Sequence, residues 1–132
     1  MLETFVLSQK DGRPMYLQII EQVKMRVMAG EWPGGMAMPS IREMAAALNI
    51  SVITIKRAYQ ELERDGVIVT QRGKGSFVAS EPNLGVDLQK NALHEKLVEA
   101  VQLARAINMN AADLQTELNQ IFAEYNPALP EE

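Results

Sequence analysis

The sequence predicts a mainly α-helical chain with one small β-hairpin, ending in a two-helix tail. Three observations carry this. Apolar residues recur at helical spacing in five separate stretches, the period turns strand-like around a basic, glycine-bearing turn after Gly66, and the charge sign changes near residue 81. A length of 132 residues leaves room for one domain plus an appendage. Hydrophobic residues at 47% and charged residues at 23% are ordinary globular usage, so the chain is expected to fold.

Residues 14 to 29 place Tyr16, Ile20, Val23 and Val27 on one helical face, opened by Pro14 and closed by Gly30. Trp32-Pro33-Gly34-Gly35 then demands a loop. Ser40 and Glu43 have the spacing of a capping box and start a helix that ends near Leu48, with Ile41, Met44, Ala45 and Leu48 as its core face. Ser51 can cap the next helix, whose stripe of Ile55, Ala58, Tyr59 and Leu62 runs to Gly66. Strands over Val67 to Gln71 and Ser76 to Ala79 flank Arg72-Gly73-Lys74-Gly75, and Phe77, like Tyr59, falls at an inward position.

Two short helices joined by a tight turn form a helix-turn-helix, which can present its second helix to a DNA major groove about 12 Å wide. The hairpin that follows makes the motif winged. Taking Ile55, Ala58, Tyr59 and Leu62 as inward puts Ile53, Lys56, Arg57, Gln60 and Arg64 on the outward half of the second helix at about 100° per residue. A lone exposed Ile is ordinarily uninformative, but in the first turn Ile53 can meet a thymine methyl group. Arg72 and Lys74 place two cations at the hairpin tip, while Gly73 and Gly75 permit positive φ and close backbone approach. That suits a phosphate or minor-groove contact, although a solvated turn is the commoner reading of a basic tip.

After the loop residues 80 to 85, Leu93, Leu97, Ala100, Val101, Ala104 and Ile107 make one stripe, widened by Val98 and Leu103. Asn110 and Asp113 start a partner helix bearing Leu114, Leu118, Ile121, Phe122 and Tyr125, stopped by Asn126-Pro127. Two helices bury too little to offset their ordering entropy, so the stripe is expected either to pair with that of a second subunit or to fold back on the winged module. The expected domains are 1–80, the winged module, and 81–132, the helical dimerisation segment.

The net charge of −4 conceals a split. Residues 1 to 80 hold ten Lys/Arg against eight Asp/Glu, and residues 81 to 132 hold three against nine, so the acid sits in the tail. With no cysteine and one histidine, His94, the chain offers no disulfide, thiolate site, multi-histidine metal centre or histidine acid/base pair. No catalytic residue, metal or cofactor is expected. No apolar run approaches the ~20 residues of a membrane span, and no basic stretch followed by an apolar one opens the chain, so a cytoplasmic protein with no membrane partner is expected. The scattered methionines read as core fillers.

Pro14-x-Tyr16-x-Gln18-Ile19, Gly30, Pro33-Gly34, Met38-Pro39-Ser40-x-Arg42-x-Met44-Ala45, Leu48, Ser51, Thr54-Ile55, Ala58-Tyr59, Leu62, Gly66 and Gly73-x-Gly75-x-Phe77-Val78 together resemble the N-terminal winged helix-turn-helix of GntR-family transcription regulators. The short remainder resembles the YtrA-like subgroup, whose C-terminal helices dimerise. The resemblance implies a dimeric sequence-specific regulator, a repressor on a palindromic double-stranded operator whose half-sites lie one helical turn apart, ~34 Å. YtrA-like relatives often control transporter operons. A winged-helix module that binds another protein is the alternative reading.

The resulting DNA-binding residues are Arg42, Ser51, Val52, Ile53, Thr54, Lys56, Arg57, Arg72, Lys74 and Gly75. Family members commonly carry arginine where this chain has Val52, which leaves more of the cationic contact to Arg42, Lys56 and Arg57. Ser51 and Thr54 match family positions that touch phosphate, and Ser51 equally serves as a helix cap. The dimerisation residues are Leu93, Leu97, Val101, Ala104, Leu114, Leu118, Ile121 and Phe122. The sequence assigns no small-molecule effector, operator sequence or regulated gene.

Overall fold

A computed structural model describes residues 5–125. Its order is α1 (Met15–Met28), α2 (Ile41–Leu48), α3 (Val52–Arg64), β1 (Ile68–Gln71), β2 (Gly75–Val78), α4 (Leu84–Ala106) and α5 (Ala111–Tyr125), with a single 3-10 turn, Gln9–Asp11, before α1. The chain divides into two compact units, 1–89 and 90–132, so α4 begins in the first and continues in the second.

In the first unit, α1 and α3 pack face to face and enclose Ile19, Val23, Ile55, Ala58 and Leu62, all fully buried, with Met44 of α2 and Val67 closing the same core. Pro14 caps α1 where its missing N–H is not needed, and Gly30 takes the left-handed conformation beyond the helix end, φ 78°. The turn between α2 and α3 is made by Asn49 at φ 55°, a left-handed cap that asparagine tolerates. Helical phase along all three helices is as the sequence predicts.

The hairpin pairs Ile68 with Val78 and Val69 with Phe77 in antiparallel register. Side chains alternate between faces, so the buried pair Ile68–Val78 defines the inward face. This corrects the placement of Phe77 in the core: it lies on the opposite face, half-buried, beside Val69. The second strand also starts one residue earlier than the sequence suggests, at Gly75, and ends at Val78.

The segment after Trp32 is more than a loop. Gly35 N–H donates to the Val78 carbonyl, Met38 N–H to Ser76, and Val78 N–H to Met36, each at 2.8 Å, so residues 35–38 flank β2 and brace the base of the wing. A Cβ on Gly34 would stand 3.0 Å from the Ala79 carbonyl oxygen, which explains glycine at this crossing. The linker is shorter than expected, since α4 already begins at Leu84 and Leu88 is buried in the first unit's core.

In the second unit, Asn110 Oδ1 accepts from Asp113 N–H at 2.8 Å and opens α5 as anticipated. Asn108 at φ 59° turns the chain between α4 and α5. Ala104 is buried and Leu114 half-buried, whereas Leu93, Leu97, Val98, Val101, Leu118, Ile121 and Phe122 remain exposed. The expected stop at Asn126-Pro127 lies outside the described residues.

Candidate nucleic-acid interface

The site is built on two capped helices. At α2 the Ser40 side chain accepts from Glu43 N–H at 3.0 Å and the Glu43 carboxylate accepts from Ser40 N–H at 2.9 Å, satisfying two donors that a helix start leaves orphaned. Those bonds, the backbone one first, hold the Glu43 carboxyl below the usual glutamate range. Arg42, one residue earlier, is exposed.

At α3 the Ser51 side chain accepts from Thr54 N–H at 3.2 Å, and the two hydroxyls share a hydrogen bond of 2.8 Å. Ser51 is therefore a cap whose hydroxyl, with that of Thr54, stands at the outer end of the helix. The angle between α2 and α3 is fixed from within by Tyr59, whose buried hydroxyl donates to the Pro39 carbonyl at 2.5 Å. Burial, reinforced by the Glu43 charge, pushes this phenol well above its usual range, so it stays a neutral donor.

The outward half of α3 holds the side chains that the helical phase predicts. Ile53 is 81% exposed and Val52 48%, with Lys56, Arg57, Gln60 and Arg64 exposed beyond them. Ile53, Lys56, Arg57, Gln60, Glu61 and Arg64 line a shallow depression of about 520 Å³ along the helix. Two of its arginines are engaged within the molecule. Arg64 pairs with Glu61, and Arg57 stacks on the Tyr16 ring of α1, its carbon 3.8 Å from the ring centre, while donating to the Tyr16 hydroxyl at 3.0 Å. Among the described residues the side chain of Lys56 has no hydrogen-bond or ion-pair partner.

The wing tip carries Arg72 and Lys74, both exposed, on a turn closed by Lys74 N–H to the Gln71 carbonyl at 2.9 Å. Gly75 adopts φ 109°, a backbone state that other residues enter only with strain. The wing is tied to α3 by Thr70, whose hydroxyl donates to Glu63 at 2.6 Å and lies 3.1 Å from Ser76 Oγ.

Helical periodicity assigns Gln18 no structural role. Buried in α1, it accepts from Ser8 N–H at 2.9 Å and donates to the Ser8 and Arg13 carbonyls, clamping the segment that leads into the helix. Arg26 likewise packs its guanidinium 4.1 Å from the Phe5 ring centre. Buried polar residues on an otherwise apolar face were the available signal.

Comparison with known proteins decides the family. Residues 15–78 match the model of the bacterial regulatory proteins of the gntR family. The chain is 38% identical over 90 residues to the HTH-type transcriptional regulator YhcF of Bacillus subtilis, covering 68% of this chain and 74% of that one. The chain belongs to the GntR family. It is also 29% identical to the HTH-type transcriptional repressor YtrA of Bacillus subtilis, over 89% of this chain and 92% of that one, which makes it a YtrA-like member.

A transcriptional regulator from Oenococcus oeni superposes with a TM-score of 0.70 at 28% identity, covering 91% of this chain and 98% of the other. Fold and relatives alike are those of GntR winged-helix regulators: the chain is a DNA-binding transcription regulator, not an enzyme. Among the described residues no cluster of His, Cys, Asp or Glu could hold a metal ion, and no helix is long and apolar enough to cross a membrane.

Proposed function

We propose that this GntR regulator acts in the cytoplasm as a homodimeric repressor that occupies a palindromic operator, that of a transporter operon as the YtrA-like resemblance implies. The observation that carries the DNA contact is the outward face of α3, where Ile53, Lys56, Arg57 and Gln60 stand exposed beside the Ser51 and Thr54 hydroxyls. Arg42 on α2 and Arg72, Lys74 and Gly75 on the wing belong to the same winged unit and would grip the backbone on either side of the groove. Ser51 and Thr54 would add phosphate contacts, with Val52 and Ile53 directed at base edges.

The exposed apolar stripe of α4 and α5 supports self-association. Leu93 is 59% exposed, Val101 43% and Phe122 67%, and with Leu97, Leu118 and Ile121 they leave six large apolar side chains of these two helices to water, the kind of surface that marks an interaction site. Ala104 and Leu114, less exposed, would sit at the seam of the same interface. A two-fold related pair would present two recognition helices to two half-sites.

Equilibrium sedimentation at micromolar concentration, with and without duplex DNA, tests the reading together with binding measured over a range of salt. A dimer whose DNA affinity falls steeply with ionic strength is expected. A monomer in both conditions, or affinity indifferent to salt, would overturn it.

A further inference from the structure

We propose that Val52 and Ile53 determine operator specificity by apolar contact with the C5-methyl groups of thymines in the major groove. The inference rests on the DNA-binding reading above and adds what is recognised. Val52 and Ile53 are the first two residues of α3, and helical side chains lean toward the N-terminus, so both project past the end of the helix that enters the groove first. They are 48% and 81% exposed in a unit whose other α3 apolar side chains are buried.

Three further observations, and the chemistry of the groove itself, favour DNA as what covers them. The first turn of α3, like that of α1, carries no carboxylate, although a helix N-terminus favours one and α2, α4 and α5 each have one there. An acid at that place would repel phosphates. The neighbours one turn on are Lys56 and Arg57, and the hydroxyls of Ser51 and Thr54 flank the pair, so the apolar spot is ringed by groups suited to a polyanion. The two arginines of α3, the side-chain type that usually reads guanine, each have a partner within the molecule, Arg57 in Tyr16 and Arg64 in Glu61. The thymine methyl is the one apolar feature that a base pair shows in the major groove.

The experiment uses the full chain and duplexes that it selects from a randomised pool. Each thymine is replaced in turn by deoxyuridine, which removes only the methyl. At one or two positions per half-site, affinity is expected to fall about fourfold, the effect of exposing one methyl-sized group. At those positions 5-methylcytosine should bind more tightly than cytosine. Ile53→Ala should leave the melting temperature unchanged and abolish the discrimination between thymine and uracil at the position it meets, a coupling that only a shared contact produces. Val52→Ala should reduce it.

Equal binding of every uracil duplex, or full discrimination by Ile53→Ala, overturns the proposal. Weaker self-association of Ile53→Ala with an unchanged uracil response would place the patch in a protein interface and also overturn it. Failure to retain any duplex would remove the DNA-binding reading itself.

Discussion

Arg57 of α3 is held by Tyr16 of α1 through two contacts at once. The guanidinium carbon lies 3.8 Å from the ring centre, and Nη2 donates to the phenolic oxygen at 3.0 Å. The tyrosine is half-buried and packed against the core, so a rigid body restricts a long, flexible cation. We expect a guanidinium held in this way to meet the DNA backbone rather than a base edge.

Tyr16→Leu is therefore expected to weaken binding to selected and scrambled duplexes alike, by about 0.5–1.5 kcal/mol, the usual penalty of ordering a rotamer-rich side chain on association. Tyr16→Phe keeps the stack and should retain most of the affinity. Paired titrations of both variants check this, and a loss confined to one operator position would instead make Arg57 a base reader.

Arg42 and Lys74 stand on different elements of the winged unit, and both are exposed. If each neutralises one phosphate, alanine at either position should reduce the slope of log affinity against log salt by ~0.9. Thermal stability should stay within about 0.5 kcal/mol, as for surface substitutions in general. An unchanged slope with a lowered melting temperature would show a structural role.

The Glu43 carboxylate, held below its ordinary range by Ser40, links α2 to pH. A folded pKa below the unfolded one means that the contribution is fully present above the unfolded value, ~4.3, and is lost as pH falls through the folded value. Acid unfolding of Glu43→Gln should consequently show a shallower pH dependence below about pH 4.3 than the parent. Identical acid-unfolding profiles would refute the linkage.

What was legible in the sequence was what local rules decide. The capping residues Ser40, Ser51 and Asn110 open their helices because each side chain needs only the backbone three residues ahead. The phase of α3 followed from four apolar positions, and the face carrying Ile53, Lys56 and Gln60 followed from that phase. Long-range pairings were not legible. Phe77 was misplaced because strand alternation sets two faces without saying which is inward, and the Ile68–Val78 pair settles that only once the hairpin packs. Nothing local signals that Tyr16 meets Arg57 across 41 residues, or that residues 35–38 brace the wing.

Tyr59 provides a test of how rigidly α3 is presented. Its hydroxyl spans from the third helix to the Pro39 carbonyl just before α2, so one hydrogen bond of 2.5 Å fixes the angle inside the helix-turn-helix. Tyr59→Phe preserves the ring and its packing but strands the carbonyl, which should lower stability by about 1–3 kcal/mol. The residues proposed to face DNA are untouched, so any additional loss of operator affinity at a temperature where the variant is fully folded reports on helix orientation. Chemical denaturation alongside titration separates the two effects. Unaltered stability would show that the Pro39 carbonyl finds another donor and that Tyr59 fixes nothing.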